Sequence, residues 1–218
     1  MRAVAYGLYE GPMKSAIHSL KYDRMIPIAK PLGHLLARAI ATLCDESCPD
    51  LLLVPVPLHR ARHRERGFNQ ARALAFYAMK SLAKTHPQWK LTLAARTLIR
   101  HRQTEAQAGL SPRARRMNVR GAFVVHDLDT AAERNILLID DIFTTGATVR
   151  AASQALLDAG AASIRVATLS RAMLGTGKLS RTINALKEED DSARTDERQT
   201  PSILKPQASM YSQHQSTR

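Results

Sequence analysis

Aromatic side chains are scarce in this chain of 218 residues, making up 5% of it against 44% for hydrophobic residues as a whole. A core of that composition must be built from Leu, Ile, Val and Ala, which suits helices packed on a parallel sheet. Long apolar runs are also missing. None approaches the roughly 20 residues that span a bilayer, and the N-terminus lacks the charged, apolar and small-residue order of a signal peptide, so a cytoplasmic protein is expected. Cysteine is limited to Cys44 and Cys48, too few for a disulfide framework and without the second pair that a zinc site needs. They read as two reduced thiols. Acidic residues are nearly absent from one long stretch. Residues 57–120 hold 15 Lys and Arg against only Glu65 and Glu105, whereas the remainder is balanced at 17 against 17. The net charge of +13 therefore sits in one segment, which points to an anion-binding face for polyphosphate or nucleic acid.

What is present is an alternation of helical and strand patterns. A strand-like start (3–9) precedes a Gly-Pro pair that opens a helical stretch through Lys21 and Tyr22. Leu32, Leu35, Leu36, Ala39 and Leu43 recur at helical spacing after Pro27 and Pro31. The first sheet strand is predicted over 51–55, a continuous apolar run of the kind buried on both faces. A helix over 68–84, a strand over 93–99 and a short strand over 122–125 follow. The clearest buried strand is 136–139, then a helix over 148–158 closed by Gly160, and a strand over 164–169. This order predicts an α/β fold with a mainly parallel central sheet flanked by helices. The domain is expected over 1–174, with 175–218 a largely disordered tail of Ser, Thr, Gln, Lys and acidic residues.

The chemistry concentrates in ILLIDDIFTTGAT, residues 136–148. Four apolar residues carry the chain through the sheet, and Asp140 and Asp141 then emerge at the edge where ligands bind in open α/β sheets. Adjacent carboxylates at the end of a buried strand are costly unless they meet hydroxyls or cations, and the hydroxyls of a ribose fit that need. Thr144, Thr145, Gly146, Ala147 and Thr148 form a small-residue turn entering a helix, whose N–H groups can cradle a phosphate. A P-loop is excluded by the lack of a Gly-Lys-Ser/Thr end.

All thirteen positions of this segment resemble the phosphoribosyl pyrophosphate signature of type I phosphoribosyltransferases. The resemblance implies catalytic and ribose-binding roles for Asp140 and Asp141, directly or through Mg²⁺, with 5′-phosphate binding by Thr144, Thr145, Gly146, Ala147 and Thr148. A second segment, LLLVPVPLHRARHRERGFNQA (51–71), looks like the pyrophosphate loop of these enzymes. Guanidinium groups suit pyrophosphate oxygens, and Arg64 and Arg66, nearest Gly67 and the helix expected to start there, are preferred over Arg60. A solvated basic loop or a general nucleic-acid patch is the alternative reading.

The wording VPVPL followed by RERGFNQ is similar to the ComF (GntX-like) family, which is associated with DNA uptake. Residues 100–123 also resemble that family and imply a hood loop, with Thr104, Gln107, Arg113, Arg116 and Asn118 at matching positions; Lys21 and Tyr22 in HSLKYDR match as well. The cysteine-rich zinc segment with which such proteins commonly begin is absent from this sequence. Implied partners are phosphoribosyl pyrophosphate or a nucleotide, with Mg²⁺ as cofactor and a homodimer open. Single-stranded DNA bound by the basic segment is the alternative. Against it stands the shortage of rings there for base stacking, with Phe68, Phe76, Tyr77 and Trp89 the only ones.

Overall fold

The computed structural model describes residues 2–43, 50–102 and 121–172. Cys44, Cys48, the hood positions Thr104, Gln107, Arg113, Arg116 and Asn118, and the segment 175–218 lie outside the described residues. In chain order the elements are β1 (Arg2–Leu8), α1 (Gly11–Tyr22), a 3₁₀ turn (Ile26–Ile28), α2 (Ala29–Leu43), β2 (Asp50–Pro55), α3 (Arg60–Arg66) and α4 (Gln70–Thr85). They continue with β3 (Lys90–Leu93), β4 (Leu98–Arg100), β5 (Phe123–Val125), α5 (Leu128–Ala131), β6 (Asn135–Phe143), α6 (Ala147–Asp158) and β7 (Ser163–Arg171).

Among the described residues, five strands form a parallel sheet in the order β1-β7-β6-β2-β3. The apolar runs of β2 and β6 pair in register, Leu52 to Pro55 against Ile136 to Ile139, and alternate residues enter opposite cores. Leu51, Leu53, Leu137 and Ile139 pack with α1, α2 and α4. Leu52, Val54, Ile136 and Leu138 pack with α6 and the β4-β5 hairpin. A strand with hydrophobic cover on both sides has no polar face to show, which explains the unbroken runs. On the first side α2 and α4 approach closely: a Cβ on Gly33 would stand 2.4 Å from the Cβ of Tyr77, so only glycine fits.

From β2 the chain passes through α4 to β3 on one side, and from β6 through α6 to β7 on the other. The two crossovers lie on opposite faces. The boundary between β2 and β6 is therefore the topological switch point, where an open α/β sheet leaves a crevice. Its depth comes from unequal strand lengths: β2 ends at Pro55, with Val56 N–H reaching Ile139 O at 2.8 Å. β6 continues to Phe143, paired there with β7 alone.

Three expectations need correction. β1 is itself a sheet strand, paired with β7 from Arg2 to Leu8, so 51–55 is not the first. The single strand expected over 93–99 is two: β3 joins the large sheet and β4 the hairpin with β5, separated by residues 94–97. The arginine-rich stretch is a helix, and Gly67, at φ 79°, ends α3 instead of starting α4. Asn69 starts α4: its side chain accepts from Arg72 N–H at 3.3 Å and donates to Val56 O at 3.0 Å, tying that helix to the end of β2.

Candidate functional site

The crevice at the switch point is a cleft of about 360 Å³. Its floor is the part of β6 beyond Ile139, its walls are α3, the start of α4 and β4, and Lys21 of α1 reaches in from the rim. Asp140, Asp141, Thr144, Thr148 and Arg66 line it, together with Lys21, Arg62, Asn69, Gln70 and Arg100.

The two carboxylates occupy different electrostatic positions. Asp141 Oδ2 is held by Lys21 Nζ at 2.8 Å, an ion pair joining α1 to β6 with both side chains largely enclosed. Asp140 Oδ1 accepts the N–H of Asp141 at 2.9 Å. Burial pushes its pKa up from 3.8 to about 7, the negative charge of Asp141 adds to the rise, and the Asp141 N–H, Lys21 and Arg100 pull against it. At neutral pH Asp140 is therefore poised between its two protonation states, and any hydroxyl or cation that stabilises the anion draws it to the charged form. Burial and the nearby Arg62 guanidinium also draw Arg100 below its ordinary pKa, with Asp140 opposing.

The turn after β6 is shaped by one residue. Gly146 is the N-cap of α6 at φ 70°, a left-handed conformation suited to glycine. A Cβ there would meet the Phe143 ring at 2.6 Å. Backbone N–H groups at the start of α6 have no intrahelical partners, as in any helix. Thr145 Oγ1 is buried with no hydrogen-bond partner among the described residues. Thr144 and Thr148 face the cleft.

Across from the carboxylates, α3 sorts its arginines by helical spacing. Arg62 and Arg66, four residues apart, share the face that lines the cleft, whereas Arg60, His63 and Arg64 lie on the other face around a separate surface hollow. Of the two arginines preferred from the sequence, Arg66 lines the cleft and Arg64 does not. Arg66 is 8% exposed; its Nη1 donates to Gln70 Oε1 at 3.2 Å, and its guanidinium lies over the Tyr22 ring, 5.3 Å from the centroid. Arg66 Nε and Gln70 Nε2 are buried donors with no acceptor among the described residues. A buried donor left unpaired costs about 1–3 kcal/mol, so these two groups call for acceptor oxygens beyond the described residues.

The model of the phosphoribosyl transferase domain matches residues 75–197. The DNA utilization protein YhgH of Escherichia coli is 36% identical over 178 residues, covering 79% of this chain and 73% of that protein. Competence protein F of Haemophilus influenzae is 29% identical over 78% of this chain and 73% of its own length. Competence protein ComFC of Bacillus subtilis is 36% identical over 55% of this chain and 44% of its own length. This chain is a member of the ComF family, in the type I phosphoribosyltransferase superfamily. A solved hypoxanthine-guanine phosphoribosyltransferase from Schistosoma mansoni, in complex with IMP, matches at a TM-score of 0.37 and 15% identity, covering 66% of this chain and 56% of that one; that likeness is too slight to bear on the site.

In this ComF protein the cleft contains residues that the motifs did not single out. Arg62 was legible in principle, because it shares a helical face with Arg66 once 60–66 is read as a helix. Asn69 and Gln70 stand in the RGFNQ motif but carried no stated role. Arg100 opens the segment 100–123 but carried no stated role, and the antiparallel pairing of β4 with β5 is what carries it toward Asp140.

Proposed function

We propose that this ComF protein binds phosphoribosyl pyrophosphate or a related nucleotide, with Mg²⁺, in the cleft between β2 and β6, and that it serves DNA uptake or use in the cytoplasm. The observation that carries the reading is the pairing of opposite needs across one cleft. Asp140 and Asp141 call for hydroxyls or cations on one side, and the unpartnered donors of Arg66 and Gln70 call for anionic oxygen on the other. A phosphorylated ribose with a pyrophosphate at C1 offers both hydroxyls and anionic oxygen.

Asp140 and Asp141 would accept the ribose 2′- and 3′-hydroxyls. The N–H groups at the start of α6, with Thr144, Thr145 and Thr148, would hold the 5′-phosphate around the tight turn at Gly146. Arg66, with Arg62 and Gln70, would hold the pyrophosphate. Hard carboxylate oxygens suit Mg²⁺, which takes one or two carboxylates plus phosphate oxygens. Among the described residues no group of three or more His, Cys, Asp or Glu forms a cage of its own, so the ion would come with the ligand, on Asp140 or Asp141. Bound there, it would neutralise charge on the departing pyrophosphate.

The reaction this arrangement serves is displacement at C1: a bond to the incoming nucleophile forms while the C1–O bond breaks, its electron pair leaving with pyrophosphate. The side chains contribute by position and charge, without a covalent intermediate. Calorimetric titration with phosphoribosyl pyrophosphate and Mg²⁺ tests the reading. Micromolar affinity is expected, falling at least ~100-fold in the double variant Asp140→Asn, Asp141→Asn as two ligand-facing charges are removed. Unchanged affinity in the double variant would show the ribose assignment to be wrong.

A second reading, single-stranded DNA binding without catalysis, is favoured by one observation. Arg60, His63 and Arg64 cluster on the outer face of α3, away from the cleft, where a nucleic-acid backbone could run. Binding of that kind weakens steeply with salt, and it would survive the double Asp variant.

A further inference from the structure

We infer that Tyr22, with Met25 and Ile26, forms a stacking platform for an unpaired nucleobase at the rim of the cleft. The inference rests on the reading of the cleft as a phosphorylated-ribose site and adds to it the place of the base. Tyr22, Met25 and Ile26, at the end of α1 and in the turn toward α2, are 55%, 51% and 48% exposed. The turn is nonetheless fixed. Arg24, at φ 52° in the left-handed region, donates through Nη2 to Glu65 O at 2.9 Å, pinning the turn to α3. Its neighbour on the other side of Asp23 is Tyr22, whose ring contacts two cationic or ionisable groups, the Arg66 guanidinium and the His18 ring, at centroid distances of 5.3 and 4.7 Å.

Position ties this patch to the cleft. Lys21, adjacent in the chain, is fixed on Asp141 at 2.8 Å, and Arg66, under the Tyr22 ring, lines the cleft itself. A nucleotide with its 5′-phosphate at the start of α6 and its hydroxyls on Asp140 and Asp141 would turn the base at C1 toward the Arg66 wall, beside an exposed ring flanked by positive charge. That combination of aromatic face and guanidinium accepts any base without reading its edge. It also supplies what the basic segment lacked: its stacking ring comes from α1, outside residues 57–120.

The test compares ribose 5-phosphate with adenosine 5′-monophosphate, and adds a short 5′-phosphorylated single strand carrying 2-aminopurine, on the full chain and on Tyr22→Ala and Tyr22→Phe. The wild type should bind the nucleotide about tenfold more tightly than the sugar phosphate, the gain expected of one stacked base. That ratio should collapse toward one in Tyr22→Ala and persist in Tyr22→Phe. A gain with the free nucleotide alone identifies a mononucleotide site, and 2-aminopurine quenching that depends on Tyr22 identifies a strand; both support the platform. A ratio near one in the wild type, or one unchanged in Tyr22→Ala, overturns it. If neither small ligand binds, the reading of the cleft fails, and the quenching alone decides: lost in Tyr22→Ala it upholds the platform, absent or persistent it removes it.

Discussion

The two halves of β6 are made of one strand yet live under different rules. From Ile136 to Ile139 the side chains are fully buried, with β2 on one edge, β7 on the other and a core on each face. From Asp140 onward β2 is gone, β7 remains, and the strand forms the floor of a cleft. The first half serves stability, since apolar surface removed from water contributes about 25 cal/mol per Å². The second half gives some of it back, holding a carboxyl whose charged form the surroundings disfavour. The difference between them is where the neighbouring strand stops, at Pro55.

That contrast can be broken by experiment. The largest effect is expected for Leu138→Ala, which opens a cavity in the sealed half and should lower unfolding free energy by about 2–5 kcal/mol in urea titrations. A loss of similar size on truncating a side chain beyond Ile139 would erase the distinction. Next is Asp140→Asn, with the opposite sign. Between about pH 4 and pH 7 the folded carboxyl keeps a proton that the unfolded chain has released, so wild-type stability falls as pH rises through that window and the penalty is complete above it. The substitution should therefore raise the melting temperature at pH 8, by roughly 2–4 °C for each kcal/mol recovered in a domain of this size. The gain should vanish near pH 4, and a gain that does not depend on pH would mean that ionisation is not its source.

Smaller effects sharpen the comparison across the cleft. Arg66→Ala should weaken pyrophosphate affinity about tenfold or more at physiological salt, the worth of a charge-assisted hydrogen bond. Arg64→Ala, on the outer face of α3, should change it by less than about twofold under the same conditions. Equal losses in the two variants would mean that net charge, and not position on the helix, governs binding. Arg64→Ala should show more in the salt dependence of single-strand binding than in pyrophosphate affinity.

Much of this was readable in advance at β2 and β6, because a continuous apolar run between turn residues leaves little choice but a strand buried on both faces. The Asp-Asp-to-Thr segment was equally legible, since acids, glycine and threonines in fixed order act through backbone they carry with them. The stretch 60–66 was not. Four alternating arginines read as a loop, and the helix that divides them into an inner and an outer face rests on local signals that are individually weak: His59 accepting from Ala61 N–H at 3.3 Å and Gly67 in the left-handed conformation. Lys21 and Arg100 stood in segments that resemble the family but carried no stated role, and nothing local announced the pairing of Lys21 with Asp141.

By itself, then, the amino-acid order determined the parallel α/β class, the strand that bears the two aspartates and the hydroxyl-rich turn after it, since each depends on neighbours within a few residues. Tertiary structure alone decided which arginines face the cleft, that Lys21 closes on Asp141, and that Tyr22 stands beside Arg66. Those relations join α1, α3, β4 and β6 across tens of residues, and only the packing of helices on a shared sheet sets such distances.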